Sequence, residues 1–395
     1  MQTKPKLNEQ TAFLLTMAVL ALVLRMPITG VGPILTTIRE DLGVSNTVMG
    51  LLTSVPMMVF AVISPLAAVI ERKIGMGRAI LSALILILVG QLVRSYTNAV
   101  GLFAGTAILA CGIGMINVLG LTLIKLRAAP ERVGMVISVY STIMATTAAI
   151  SIAASVPIAN GLGWRTSLAA WVPFAVLALV VWGIQHLRPE NQLSHKNEQK
   201  TSLKRLLRSP LAWHVTLFMG AQTLIFYCVN GWIPTILQSR GFTIEQSAVA
   251  ATVLQVTTLP FTFIVPLLIK RVRTSVVLAF SNLAVTVGVV LFILNPGPWA
   301  NYTSIMILSA GMGGVFSICN MTYSLRTRNP ADTAALSGMA NCFGYVIAAL
   351  GPSTMGRLFD LTQSWLVPLL FLLAMVIVND IFSQLSARER YLFDD

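Results

Sequence analysis

Arg25 stands in the middle of an apolar run, AFLLTMAVLALVLRMPITGVGPIL, and no Asp or Glu lies deep in any comparable run of the chain. A charge at the centre of a bilayer costs roughly 2.5–3.5 kcal/mol on insertion scales, so such a residue marks a substrate or ion path. Its guanidinium presents a planar fork of donors that suits a charged or strongly dipolar group. With no buried carboxylate to pair with, it calls for a partner from outside. Thr29 follows one helical turn on, and Pro27 and Pro33 loosen the backbone there. The blander alternative is that Arg25 caps carbonyls freed by those prolines.

Other polar and aromatic residues fall at helical spacing inside apolar runs. Gln222, Phe226 and Asn230 share one face at i, i+4 and i+8, with Tyr227 beside them. Ser337, Asn341 and Tyr345 form a second stripe. Asn117 follows Gly112 and Gly114, and Asn320 and Tyr323 follow Gly311, Gly313 and Gly314. An amide inside a membrane helix also serves as a bridge between helices, worth about 0.6 kcal/mol on average. Rings at Phe226, Tyr227 and Tyr345 suit a sandwich around a planar ligand. The candidate substrate-binding set is therefore Arg25, Thr29, Asn117, Gln222, Phe226, Tyr227, Asn230, Asn320, Asn341 and Tyr345.

Enzymatic chemistry lacks its parts. His186, His195, His214 and Asp380 all fall at the ends of apolar runs or between them, and no nucleophile is paired with a base at mid-run. Cys111, Cys228, Cys319 and Cys342 have no metal-ligand spacing and read as small packing residues. Neither a metal nor a cofactor is expected.

The elements that must position these residues are membrane helices. The 395 residues are 56% hydrophobic and 10% charged, with a mean hydropathy of +0.80. Apolar runs of about 20 residues read as spanning helices. Twelve are expected, near 11–35, 46–70, 77–95, 99–124, 132–157, 165–186, 211–237, 246–269, 275–294, 300–325, 333–356 and 365–386. Arg25 then lies about 14 residues into the first, or about 20 Å at ~1.5 Å per residue, near the midplane of a ~30 Å core.

The net charge of +13 would suit nucleic acid, but its distribution does not. With the N-terminus inside, cytoplasmic segments hold 21 of the 27 basic residues. The outer segments hold Arg39, Arg94, Arg165, Arg240 and Arg357, and Arg25 remains. This positive-inside pattern places both termini in the cytoplasm, and the basic loops attract anionic lipid. The expected protein is a monomer in a bacterial inner membrane, with lipid and a small-molecule substrate as partners and no nucleic acid.

A polar stretch at 188–210 divides the spans six and six, giving an N-terminal bundle over 1–187, a cytoplasmic linker over 188–210 and a C-terminal bundle over 211–395. The halves echo each other. Pro33 and Arg39 correspond to Pro234 and Arg240, Pro65-Leu66 to Pro266-Leu267, Leu126-Arg127 to Leu325-Arg326, and Trp164 to Trp365. Such a duplication resembles the major facilitator superfamily, which implies two pseudo-symmetric six-helix bundles and a binding site between the halves at mid-membrane. The stretch from Ala68 to Arg78 resembles a degraded form of that superfamily's G-x-x-x-D-R-x-G-R-R loop. Ala68 replaces the leading Gly, and the Asp position holds Arg72 or is displaced to Glu71.

Three helices narrow the resemblance. Leu24-Arg25-Met26-Pro27-Ile28-Thr29, continuing to Gly32-Pro33, closely resembles the first helix of the cyanate and 2-nitroimidazole transporter family. Phe226 followed by Gly231-Trp232-Ile233-Pro234 is similar to its seventh, and Ser337 to Tyr345 followed by Gly351-Pro352 to its eleventh. Asn341 stands where the family often has Gln. The resemblance implies a secondary transporter that moves a small planar anionic or dipolar solute by alternating access, with Arg25 as anchor and Phe226 as the family aromatic. The alternative is a proton-coupled multidrug exporter. It is disfavoured because no glycine occurs between Met135 and Asn160, where proton-linked drug exporters carry a glycine-rich signature. A sensor or scaffold without transport would have to use the 188–210 stretch, which is too short for a domain of its own.

Overall fold

A computed structural model of the protein describes residues 7–127, 133–186, 203–269, 271–294, 297–328, 330–388 and 390–393. Its regular elements are helices: α1 (Leu7–Thr29), α2 (Leu35–Leu42), α3 (Asn46–Ile74), α4 (Met76–Tyr96), α5 (Ala99–Arg127), α6 (Val133–Leu162), α7 (Trp164–Ala169), α8 (Val172–His186), α9 (Leu203–Arg208), α10 (Pro210–Ser239), α11 (Ile244–Leu268), α12 (Thr274–Leu294), α13 (Pro298–Leu325), α14 (Pro330–Thr362) and α15 (Leu366–Ser386). A helix satisfies its backbone internally, which is the requirement inside lipid. Among the described residues, twelve spans are long and apolar enough to cross a membrane. Large apolar side chains such as Phe280, Leu294 and Trp299 are exposed, as a lipid-facing surface requires. Residues 187–202, with His195 and much of the expected linker, lie outside the described residues.

The observed spans match the expected twelve in number and order but not at every end. The first runs over Phe13–Leu42 rather than 11–35, because the chain breaks after α1 and resumes as α2. The fifth covers Thr142–Leu162 rather than 132–157, and the eleventh Ala335–Thr362 rather than 333–356. Local backbone chemistry rather than hydropathy sets two of these ends. Gly43 (φ +63°) closes α2 in a left-handed cap, its N–H on the Arg39 carbonyl, and Gly163 (φ +83°) closes α6 on the carbonyl of Ala159.

The Cα packing resolves two compact units. One comprises Met1–Val31 with Val62–His195, the other Gly32–Ala61 with Lys196–Asp395. In the first, α4 lies so close to α5 that a Cβ at Gly90 would strike the Leu109 nitrogen, and one at Gly112 the Ala83 carbonyl. In the second, α12 and α13 meet the same way, with Gly288 against the Leu308 nitrogen and Gly311 against the Ser281 carbonyl. The two close-packed pairs fall at the spacing of the internal sequence echo, so the repeat extends from loop residues to helix packing.

The second unit also holds a polar core. The Asn282 amide donates to Asp380 (2.9 Å) and Ser383 (2.8 Å), and Asn379 donates back to the Asn282 oxygen (3.0 Å). Asp380 is thus the acceptor of a bridge between α12 and α15. Beyond the end of α10, Arg240 donates to the Asn301 side chain and stacks over Phe292, 4.3 Å from its centroid. Partial burial pulls its guanidinium below the usual arginine value.

Candidate substrate-binding residues

The environment of Arg25 is set by the break after α1. Pro27 supplies no N–H to the helix ladder, and α1 stops at Thr29. The Val31 N–H turns back to the Ile28 carbonyl (3.4 Å), and a 3-10 turn over Gly32–Ile34 leads into α2. The last carbonyls of a helix have no intrahelical donors and need other partners. Side chains reach two of them and the Arg25 carbonyl just before. Thr29 Oγ1 donates to the Arg25 carbonyl (3.0 Å), Ser151 Oγ of α6 to that of Met26 (2.7 Å), and Arg94 Nη1 of α4 to that of Pro27 (2.7 Å).

Arg94 corrects one expectation from the charge pattern. It falls in an outer segment by hydropathy, yet it is 1% exposed in the core of the first unit, with Nη2 also reaching the Leu168 carbonyl (3.5 Å). The carbonyl-capping role considered for Arg25 belongs to Arg94. Arg25 itself is half-buried, and among the described residues its guanidinium makes no hydrogen bond or ion pair. Asn117 of α5, also in the first unit, is half-buried.

In the second unit, α10 carries four candidates. Gln222 is buried and accepts from Thr223 Oγ1 (3.3 Å). Phe226 and Tyr227 meet edge to face at 5.4 Å, both half-buried. The Asn230 amide donates to the Phe226 carbonyl (2.8 Å), while its oxygen accepts from Gln255 of α11. Asn230 therefore bridges two helices. On α14, Gly344 lies against Met219 and Gly220 of α10, and Tyr345 packs edge-on against Phe60 of α3 at 5.5 Å. Asn341, one turn earlier, is half-buried. Asn320 stands apart: it is exposed, and its amide donates to the Phe316 carbonyl of its own helix (2.9 Å).

Three residues near the candidates escaped the sequence. Gln255 and Phe60 are cross-helix partners that no local pattern announces. Arg94 lies two residues from the end of α4, where an arginine reads as an edge anchor.

Among the described residues, no group of three His, Cys, Asp or Glu side chains converges to hold a metal. A family model described as Major Facilitator Superfamily matches residues 17–352. The chain belongs to the major facilitator superfamily. A 2-nitroimidazole transporter of Escherichia coli (strain K12) is 35% identical over 373 residues, covering 94% of this chain and 94% of that protein. The cyanate transport protein CynX of the same organism is 25% identical over 361 residues, covering 90% and 91%. The crystal structure of a D-xylose–proton symporter shares the fold with a TM-score of 0.75 at 14% identity, covering 95% of this chain and 96% of that one. The expected major facilitator fold and family are thus borne out. The chain is a multi-pass membrane protein, a secondary transporter of this superfamily, and its substrates are small molecules.

Proposed function

We propose that this major facilitator protein carries a small, planar anionic or strongly dipolar solute across the cell membrane by alternating access between its two halves, with Arg25 as the substrate anchor. The observation that carries the reading is a guanidinium at mid-span whose donors have no partner among the described residues, while Thr29, Ser151 and Arg94 satisfy the helix break around it. Relatives named for 2-nitroimidazole and for cyanate support it, because a nitro group and cyanate both offer hydrogen-bond acceptors in a flat frame. Phe226, Tyr227 and Tyr345 supply ring faces and edges for such a frame. Gln222 and Asn341 of the second unit, and Asn117 of the first, each offer a polar group of the kind such a solute needs. Orientation with both termini in the cytoplasm follows from the basic loops.

The test is a thermal-unfolding screen of the purified protein with cyanate and with 2-nitroimidazole, run beside Arg25→Ala and Arg25→Lys. A ligand at 100 times its Kd stabilises by about 2.7 kcal/mol, enough for a shift of several degrees. The parent should shift and Arg25→Ala should not. Arg25→Lys should lose most of the shift too, because a point charge does not replace a planar fork. If both variants bind and transport as the parent does, Arg25 is not the anchor.

A further inference from the structure

Tyr140 of α6 is 4% exposed, and among the described residues its hydroxyl has no hydrogen-bond partner. Burying a hydroxyl unpaired is unfavourable, so its presence needs a reason. The hydroxyl lies against α5 at Gly120, where a Cβ would stand 3.0 Å from it. Glycine leaves it room. Asn117 precedes Gly120 by three residues and shares its face of α5. The helix that carries Arg25 lies along α6, joined to it by Ser151 on the Met26 carbonyl and Thr29 on that of Ala148. Arg25 and Tyr140 thus stand on two helices packed side by side. Among the described side chains of this unit the one carboxylate is Glu71, near the end of α3, and it makes no ion pair with Arg25. Two side chains with free donors, one charged and one neutral, therefore stand in one unit, and among the described residues neither has a partner.

We infer that Tyr140 is a second substrate-contacting residue beside Arg25, and that the pair selects a small head group that only accepts hydrogen bonds, such as cyanate, a nitro group or a carboxylate. The inference rests on the reading of Arg25 as anchor. A guanidinium can only donate, so a ligand that turned an N–H or O–H toward it would leave donor facing donor. The phenol can satisfy a second lone pair of the same head group. An ionised acceptor gains most, because the attraction of an uncompensated guanidinium is strengthened in a medium of low dielectric. Between two forms of a weak acid, the protein should therefore prefer the anion.

Tyr140→Phe is the test, because it keeps the ring and removes only the hydroxyl. Titrations of cyanate and of 2-nitroimidazole into the purified parent and variants, read by calorimetry and by the unfolding temperature, separate the outcomes. The unliganded Tyr140→Phe protein should melt with the parent, since its lost hydroxyl had no partner. Its Kd for the bound probe should rise about tenfold. In vesicles the KM should rise with the Kd while the maximal flux changes less. Gly120→Ala should weaken binding similarly by crowding the hydroxyl, yet add less than about twofold in the Tyr140→Phe background.

The inference is overturned if Tyr140→Phe binds within twofold of the parent while Arg25→Ala has lost binding; the anchor then stands alone. A drop of several degrees in the unliganded Tyr140→Phe protein also overturns it, assigning the hydroxyl to packing. If Arg25→Ala binds like the parent, or neither probe binds the parent, the anchor reading itself falls and takes this inference with it.

Discussion

Arg25 and Arg94 carry the same guanidinium in the same unit, and their surroundings give them opposite tasks. Arg94 is sealed, and two backbone carbonyls accept from its Nη1 and Nη2. Arg25 is half-open, and no described group takes them. Replacing Arg94 with Met leaves the Pro27 and Leu168 carbonyls without their donor at the point where α1 breaks. The expected cost is about 2 kcal/mol or more, since hydrogen bonds to charged groups contribute about 1.5–3 kcal/mol. Arg25→Ala should stay within ~0.5 kcal/mol of the parent in stability while losing ligand binding. Thermal unfolding of the two variants in detergent checks this: an Arg94→Met protein as stable as the parent would deprive the cap of its role. The oddness of Arg25 was legible because hydropathy surrounds it on both sides. The burial of Arg94 was not, because a cation near the end of an apolar run reads alike whether it faces headgroups or a protein core. Tyr140 was illegible for a related reason: a tyrosine in a membrane helix is ordinary until its hydroxyl is seen to lack a partner.

Helices are ended and joined by contacts that hydropathy does not carry. Asp360 of α14 sits at the N-terminus of α3, where its carboxylate accepts from the Asn46 backbone (3.3 Å) and amide (3.0 Å) and from the Thr47 backbone (2.8 Å) and hydroxyl (2.6 Å). The first-turn N–H groups of a helix have no internal partners, and an anion there is favoured by the helix dipole. The same two helices touch along glycines: a Cβ at Gly50 would stand 2.5 Å from the Pro352 oxygen, and one at Gly356 would strike the Asn46 carbonyl. Trp232 of α10 donates to that Pro352 oxygen (2.9 Å), so three helices are tied at one level. Asp360→Ala should cost about 1–2 kcal/mol, the scale of a lost helix cap. Gly50→Val should cost about 1–3 kcal/mol through overpacking. Both are read as falls in unfolding temperature, and an unchanged value for Asp360→Ala would mean that water caps α3 equally well. The existence of α3 and α14 followed from apolar length alone. Their capping by Asp360 did not, because the residue lies past the expected end of the eleventh span and its partners are more than 300 positions away.

At the scale of the whole molecule, the number of spans, their order and the echo between halves were readable, because lipid forces every crossing segment into one apolar helix. Grouping by contact was not. Gly32–Ala61 packs with Lys196–Asp395, although it is continuous with the first unit on both sides. Hydropathy ranks residues by their fit to lipid and is silent on which neighbour a helix chooses, a choice made by close-packing glycines and scattered polar bridges. Orientation is the global property most directly tied to sequence, through the basic loops. They predict that a fluorescent protein fused after Asp395 is bright, since it must fold in the cytoplasm. Alkaline phosphatase, which is active only outside, should work when fused after Thr97 or Gly163 and stay near background after Gly75. Thr97 follows α4, Gly163 follows α6 and Gly75 follows α3, so if each span crosses once, α4 puts Thr97 on the side opposite Gly75, and α5 with α6 returns Gly163 to the side of Thr97. The reversed pattern would place the basic loops outside and overturn the orientation. A pattern that is neither this one nor its reverse would mean that α4, α5 or α6 does not cross, and the six-span first half on which the reading of Arg25 as anchor depends would fall with it.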